Sequence, residues 1–155
     1  MTVTLQIRVD DLSGEQTRQL IARHLSGMHD YSPPESVHAL DIDGLRHPSI
    51  TVWSAWYDDA LAGVGALKAL DAERGEIKSM RVDDRFRGAG VGRALVHHIV
   101  AAARERGMTS LWLETGASAE FAPARRLYES EGFVPCSPFD EYRLDAHSVF
   151  LTRTL

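Results

Sequence analysis

Three glycines at alternate positions, Gly88, Gly90 and Gly92, lie between a strand-like segment and a strongly helical one in RVDDRFRGAGVGRAL, Arg81 to Leu95. Glycine in that setting lets the main chain take positive φ and approach a ligand closely. A helix starting near Val91 would point its free amide N–H groups, and the positive end of its dipole, back into the loop. Loop and helix start together make an anion cradle, best suited to phosphate. Arg87 and Arg93 can add charge at its rim. Two phosphate motifs fail on spacing. The dinucleotide fingerprint needs G-x-G-x-x-G, but this loop reads G-x-G-x-G. A P-loop ends in GK[ST], but here Arg93 and Ala94 follow Gly92. From the glycines alone, a glycine-rich turn into a helix with no ligand remains an equal reading.

The elements that must hold this loop can be read from periodicity. Thr2 to Val9 alternates apolar and polar residues, as a half-buried strand does. Ser13 followed by Gln16 forms a capping box, which predicts a helix from about Gly14 with Leu20, Ile21, Leu25 and Met28 as its apolar stripe. Pro33 and Pro34 end it. Residues 30–49 read as a loop, with at most one helical turn around Ser36 to Leu40. From Ser49 three strands follow in a meander, turning at Asp58–Asp59 and at DAERG, with Glu76 to Val82 as the third. The period then changes. Val91, Leu95, Val96, Ile99, Val100 and Ala103 share one helical face, stopped at Gly107. Ser110 to Thr115 is a strand, about Phe121 to Glu131 a helix stopped at Gly132, and Ser148 to Leu155 the last strand. In that stop, Phe133 should pack back on Tyr128. The unit from Glu76 to Thr115 should be a right-handed crossover between parallel strands. This order describes one mixed α/β layer structure.

Composition sets outer limits. A chain of 155 residues, 44% hydrophobic and 25% charged, suits one soluble domain over residues 1–155 that hides roughly 70% of its unfolded surface. No apolar run reaches the ~18–20 residues of a membrane span. The first residues lack the basic flank and apolar stretch of a signal peptide. One cysteine, Cys136, rules out an internal disulfide and fits a reducing cytoplasm. The net charge of −5 argues against general nucleic-acid binding. The basic stretch Lys78, Arg81, Arg85, Arg87 and Arg93 suits a small anion instead. No His, Cys and acid spacing suggests a metal site.

Arg87-x-x-Gly90-x-Gly92 resembles the R/Q-x-x-G-x-G/A segment of the GNAT N-acetyltransferase superfamily, which holds the pyrophosphate of acetyl-CoA. Downstream, ARRLYESEGF, Ala124 to Phe133, resembles the family's A-x-x-L-Y-x-x-x-G-F segment. The element order matches as well. LETG and FAPAR are similar to segments of small bacterial acetyltransferases with poorly defined substrates. The resemblance implies a GNAT acyl-CoA N-acyltransferase fold: a central, mostly antiparallel mixed sheet of about six or seven strands, flanked by helices and splayed between the fourth and fifth. It implies acetyl-CoA as cosubstrate, no metal, and a small-molecule or protein amine as acceptor, with a homodimer possible. The other class of reading is a GNAT-fold CoA-binding or interaction module without turnover.

By that resemblance, the backbone of Met80, Arg81 and Val82 would meet the pantetheine arm, one N–H near Met80 serving the thioester oxygen. The amides of Arg87, Gly88, Ala89, Gly90, Val91, Gly92 and Arg93 would surround the pyrophosphate, and Arg85 could reach the nucleotide's extra phosphate. Tyr128 stands where the family often has the Tyr that protonates the departing thiolate. A base must take the proton of an amine whose pKa is ~10.4; Glu76, four residues before Met80, and Glu114, on the parallel strand, are the two candidates. Glu76, Lys78 and Met80 share one face of a regular strand, barring a bulge. Where the family often has a cofactor-contacting Asn, this chain has Phe121, which can only pack. His38 and His47 lie in the segment that covers the acceptor in the family. Trp53, Trp56 and Tyr57 read as sheet and core residues, and Cys136 has no activating partner beside it.

Overall fold

The computed structural model describes residues 4–155, so Thr2 and Val3 of the first expected strand lie outside the described residues. Strands β1 (Leu5–Val9), β2 (Ile50–Tyr57), β3 (Ala60–Ala69), β4 (Arg74–Val82), β5 (Ser110–Gly116), β6 (Val134–Pro135) and β7 (Ser148–Thr154) form one sheet in the order β1-β2-β3-β4-β5-β7-β6. Helices α1 (Glu15–Tyr31), α2 (Ile42–Leu45), α3 (Val91–Glu105) and α4 (Ala122–Ser130) accompany it. All pairings are antiparallel except β4 with β5, the two strands that α3 connects.

Two cores sandwich the sheet. On one face α3 buries Val91, Leu95, Val96, Ile99, Val100 and Ala103 against Leu67, Ile77, Leu111, Leu113 and Leu151. Each of these large side chains is worth ~1.5–3 kcal/mol of transfer free energy, which anchors the helix start beside the glycines. On the other face α1 and α2 close Leu20, Ile21 and Leu45 over Val52, Leu61, Val64 and Ala66. The C-terminal stop of α4 forms as its sequence implies: Gly132 takes φ +90°, the Phe133 amide donates to the Tyr128 carbonyl at 3.0 Å, and the two rings meet 5.7 Å apart.

Three local expectations change. The capping box does not form. The Ser13 hydroxyl donates to Asp11 at 2.6 Å, and Gln16 instead ties α1 to the β2–β3 turn, donating to the Asp59 carbonyl and accepting from the Leu61 amide. Tertiary partners outbid the local cap. The segment after α1 holds a short 3₁₀ turn, Pro34–Ser36, followed by α2, rather than a turn at Ser36 to Leu40. In β4, Ser79 sits in the left-handed region at φ +55°, and the β3–β4 register shifts between Val64 and Ala66. This bulge turns Met80 onto the α3 face, where its sulfur covers Gly65. Arg81 goes to the α1 face, beside Gly27. Glu76 and Lys78 therefore do not share their face with Met80.

Candidate active site

The parallel pairing of β4 with β5 stops early. Arg74, Gly75 and Glu76 face Ser110, Leu111 and Trp112, and beyond them the strands part. Residues 77–82 of β4 keep β3 on one side and leave the other side free for a ligand. At the wide end stands the glycine loop. Asp83 fixes its entry: this buried carboxylate accepts from the Arg85 amide and guanidinium at 3.0 Å each, and from Arg23 at 3.1 Å. Gly88 and Gly90 have φ of +78° and +84°, Gly90 caps α3, and a Cβ on either would meet open space. Among the described residues the amides of Gly88 and of Gly90 through Arg93 have no backbone acceptor, whereas the Ala94 amide already bonds the Gly90 carbonyl. An unfilled loop edged by unsatisfied N–H donors at a helix start suits a diphosphate.

The opposite, α1 face of the parting strands carries a polar cavity of about 500 Å³. Its floor is Glu76, 2% exposed, and Lys78, whose side chain is 9% exposed. Lys78 Nζ lies 3.1 Å from Glu76 Oε2 and 3.0 Å from the Tyr142 hydroxyl. The Tyr142 hydroxyl donates to the same Glu76 oxygen at 2.5 Å. Burial, then the charge of Glu76, raises the Tyr142 phenol well above its usual range, so it stays a donor. Glu35, His38, Lys68 and residues 140–145 complete the lining. Glu114, next to the last paired residues of β5, lies close enough to feel Lys78, Glu76 and Asp145. It has no salt bridge among the described residues, and burial pushes its carboxyl up to about 7.

Residues 15–133 match the model of the acetyltransferase (GNAT) family. YsnE, an uncharacterized N-acetyltransferase of Bacillus subtilis, is 51% identical over 151 residues, 97% of this chain and 100% of that protein. YedL, an uncharacterized N-acetyltransferase of Escherichia coli K12, is 48% identical over 149 residues, 96% of this chain and 94% of that one. A GNAT family acetyltransferase from Elizabethkingia anophelis, solved with acetyl-CoA bound, has the same fold: TM-score 0.71 and 21% identity over 97% of this chain and 98% of that one. The chain belongs to the acetyltransferase (GNAT) family. Membership makes it an acetyl-CoA-dependent N-acetyltransferase, and the open glycines, free amides and diverging strands fit that cosubstrate.

Within this GNAT enzyme the expected cofactor residues are contiguous. Met80, Arg81 and Val82 follow the point where β4 loses β5, and residues 87–93 form the loop. The cationic side chains are already engaged: Arg85 with Asp83, Arg87 with Asp84 at 2.7 Å, and Arg93 with Glu131 and Ser130. Phe121 packs on Gly116, where a Cβ would fall inside its ring, and meets Tyr31 edge-on at 6.4 Å. Tyr128 is 5% exposed among Val91, Leu95 and Leu113. Burial raises the pKa of its hydroxyl.

Glu76 lines the cavity with His38, which stands edge-on to Tyr142 at 5.0 Å and whose pKa burial lowers, and Glu114 lies near enough to Glu76 to feel its charge. His47 turns instead to Ser49, at 2.8 Å. Trp53 lies in the core, Trp56 bonds Ser54 and carries Arg8 over its ring, and the Cys136 amide extends the β6–β7 pairing. No group of three or more His, Cys, Asp or Glu among the described residues could hold a metal ion, and no helix there is long and apolar enough to cross a membrane. Sequence reasoning missed Tyr142 and the stretch 139–145 around it. The aromatic and charged mixture FDEYRLD is the one visible signal, and no spacing rule connects it to Glu76.

Proposed function

We propose that the protein acetylates a small polar amine by direct attack, with Glu114 taking the amine's proton, Glu76 beside it, and Tyr128 donating to the departing thiolate. The observation that carries this reading is Glu114 itself: a half-buried carboxylate without a salt bridge among the described residues, at the edge of the β4–β5 opening, raised to about 7. An alkylammonium has a pKa of ~10.4, and an ordinary carboxylate near ~4.3 is a poor acceptor for its proton. A carboxylate near 7 is much better matched, and a matched base contributes about 10²–10⁴-fold. The charged lining, with Glu35, Lys68 and Arg143, supports a polar acceptor over an apolar one. A lysine side chain or protein N-terminus is the same chemistry on a larger carrier.

The role of acetyl-CoA is to present an activated acetyl group on a thiol leaving group. The rest falls to the chain. The free edge of β4 around Met80 can donate an amide to the developing oxyanion, a type of contact worth roughly 3–4 kcal/mol. The proton count closes. The ammonium gives one proton to Glu114. The nitrogen sheds a second as the amide forms, and through solvent that one replaces the proton Tyr128 hands to the thiolate.

Thiol release from acetyl-CoA, followed across a panel of amines, tests this. Glu114→Gln should lower kcat/KM about 10²–10⁴-fold and erase the acid limb of the pH profile near 7. Tyr128→Phe should lower kcat with the acid limb in place. An acid limb that survives in Glu114→Gln removes Glu114 as the base.

A further inference from the structure

Both hydrogen bonds to Glu76 fall on one oxygen. Oε2 accepts from Lys78 Nζ at 3.1 Å and from the Tyr142 hydroxyl at 2.5 Å, while Oε1 accepts from no described residue and the side chain lines the acceptor cavity. The two donors are joined to each other as well, Nζ to hydroxyl at 3.0 Å, with the ammonium 5.6 Å from the Tyr142 ring centre. With both donors on one oxygen, the carboxylate is held in a single orientation and Oε1 is left to face the cavity. Tyr142 is held in place by its ring, which packs 4.9 Å from Phe139, 5.6 Å from Phe150 and 5.0 Å from His38. The loop carrying it is fastened to the segment after α1 by a 2.5 Å hydrogen bond from buried Ser36 to Asp145.

We infer that Tyr142, together with Lys78, is a positioning residue for the acetyl transfer: the two donors hold Glu76 by Oε2 so that its free oxygen receives the acceptor's ammonium, which leaves the proton to Glu114. The inference rests on the reading of Glu114 as the base, and it adds a division of labour between two carboxylates on one wall. The groups facing the pair support this assignment. From β4 comes Lys78, paired with Glu76 rather than Glu114, and from β3 comes Lys68. From the β6–β7 loop come Asp140, Glu141, Arg143 and Asp145, and from the covering segment Glu35 and His38. The Ser148 hydroxyl opposes the rise at Glu114 without reaching hydrogen-bond geometry.

Tyr142→Phe keeps the ring packing and removes only the hydroxyl. With an amine that the wild-type enzyme acetylates, the wild-type acid limb should follow one proton. In Tyr142→Phe that limb should stay in place, while KM for the amine should rise about tenfold with KM for acetyl-CoA unmoved. Lys78→Gln should do the same more strongly, and Lys78→Arg should restore the wild-type amine KM. Carboxylate carbon NMR of the free protein reads the base without turnover, with Glu114 titrating near 7. An unchanged amine KM in both Tyr142→Phe and Lys78→Gln would make the two residues structural only and overturn the inference. Loss of the Glu114 titration from the wild-type spectrum would overturn the underlying reading instead.

Discussion

Between Arg87 and Arg93 the groups that would meet a diphosphate are main-chain amides from one short run of the sequence. Around Glu76 the groups that would meet an amine are side chains drawn from β3, β4, β5, the segment after α1 and the loop before β7. The first half needs only positive φ at Gly88 and Gly90 and a well-packed α3 behind them. Its own cations are paired elsewhere, so its grip on a diphosphate would come from backbone geometry. The second half depends on which side chain neutralises which. Substrate choice can therefore change by point substitution in the acceptor wall while the cofactor half stays as it is. Damage should follow the same division: backbone strain should cost cofactor affinity, and side-chain changes should alter proton chemistry.

The largest effect that would break this division is at Gly90. A Cβ there meets nothing within 4 Å, so a substitution acts through φ alone. Gly90→Val forces a β-branched residue toward the left-handed region at a cost on the order of 1–3 kcal/mol, or moves the amides out of place. Calorimetry with CoA should show affinity down about 10–100-fold. The acid limb near 7 should not move. A valine variant that binds CoA normally would mean the side chains of the loop, not its backbone, hold the cosubstrate.

That same contrast explains what could be read in advance. The glycine loop, α3 and the Tyr128–Phe133 stop are local patterns with fixed spacing, and all three stand where their residues imply. The opening between β4 and β5 followed from the element order and the family resemblance. The acceptor wall did not, because it is assembled across the fold: Tyr142 reaches Glu76 across 66 positions. The bulge at Ser79 shows a subtler loss. Strict alternation would place Met80 with Glu76 and Lys78, but one left-handed residue reverses the strand's faces after it. Ser13 and Gln16 had the spacing of a cap, and Gln16 found better partners in the β2–β3 hairpin.

Stability offers a second, smaller test on the acceptor side. Glu114 is raised from 4.5 to about 7 by burial, so its ionised form is disfavoured in the fold. The cost is absent below 4.5, grows as pH rises, and is complete above about 7. Glu114→Gln should therefore be more stable than wild type at pH ~8, by on the order of 2–3 kcal/mol or about 5–10 °C in Tm, and no more stable near pH ~4.5. His24 on α1 works in the opposite direction. Burial, then Arg81, lowers it from 6.5 to about 4, so its contribution is present above 6.5 and lost as pH falls toward 4. The two slopes offset each other in wild type between about 4.5 and 6.5. In Glu114→Gln only the histidine slope remains, and thermal scans should show stability falling more steeply on acidification. Equal Tm values for the two proteins at pH ~8 would mean Glu114 carries no buried-charge cost.

The smallest expected effect lies on the cofactor side, at Arg87. Its side chain is 68% exposed and already paired with Asp84, which is exposed as well. An incoming diphosphate can offer that guanidinium a partner only in place of Asp84, so the exchange gains little, and salt screens what remains. Arg87→Ala should weaken CoA binding about twofold to fivefold at low ionic strength and hardly at all near ~1 M salt, where the Debye length is ~3 Å. The amides would meet a diphosphate directly from the helix start, at distances screening reaches far less. If Arg87→Ala instead matched the loss in Gly90→Val and kept that loss in high salt, the cradle would be a side-chain site, and the division between the two halves of the enzyme would not hold.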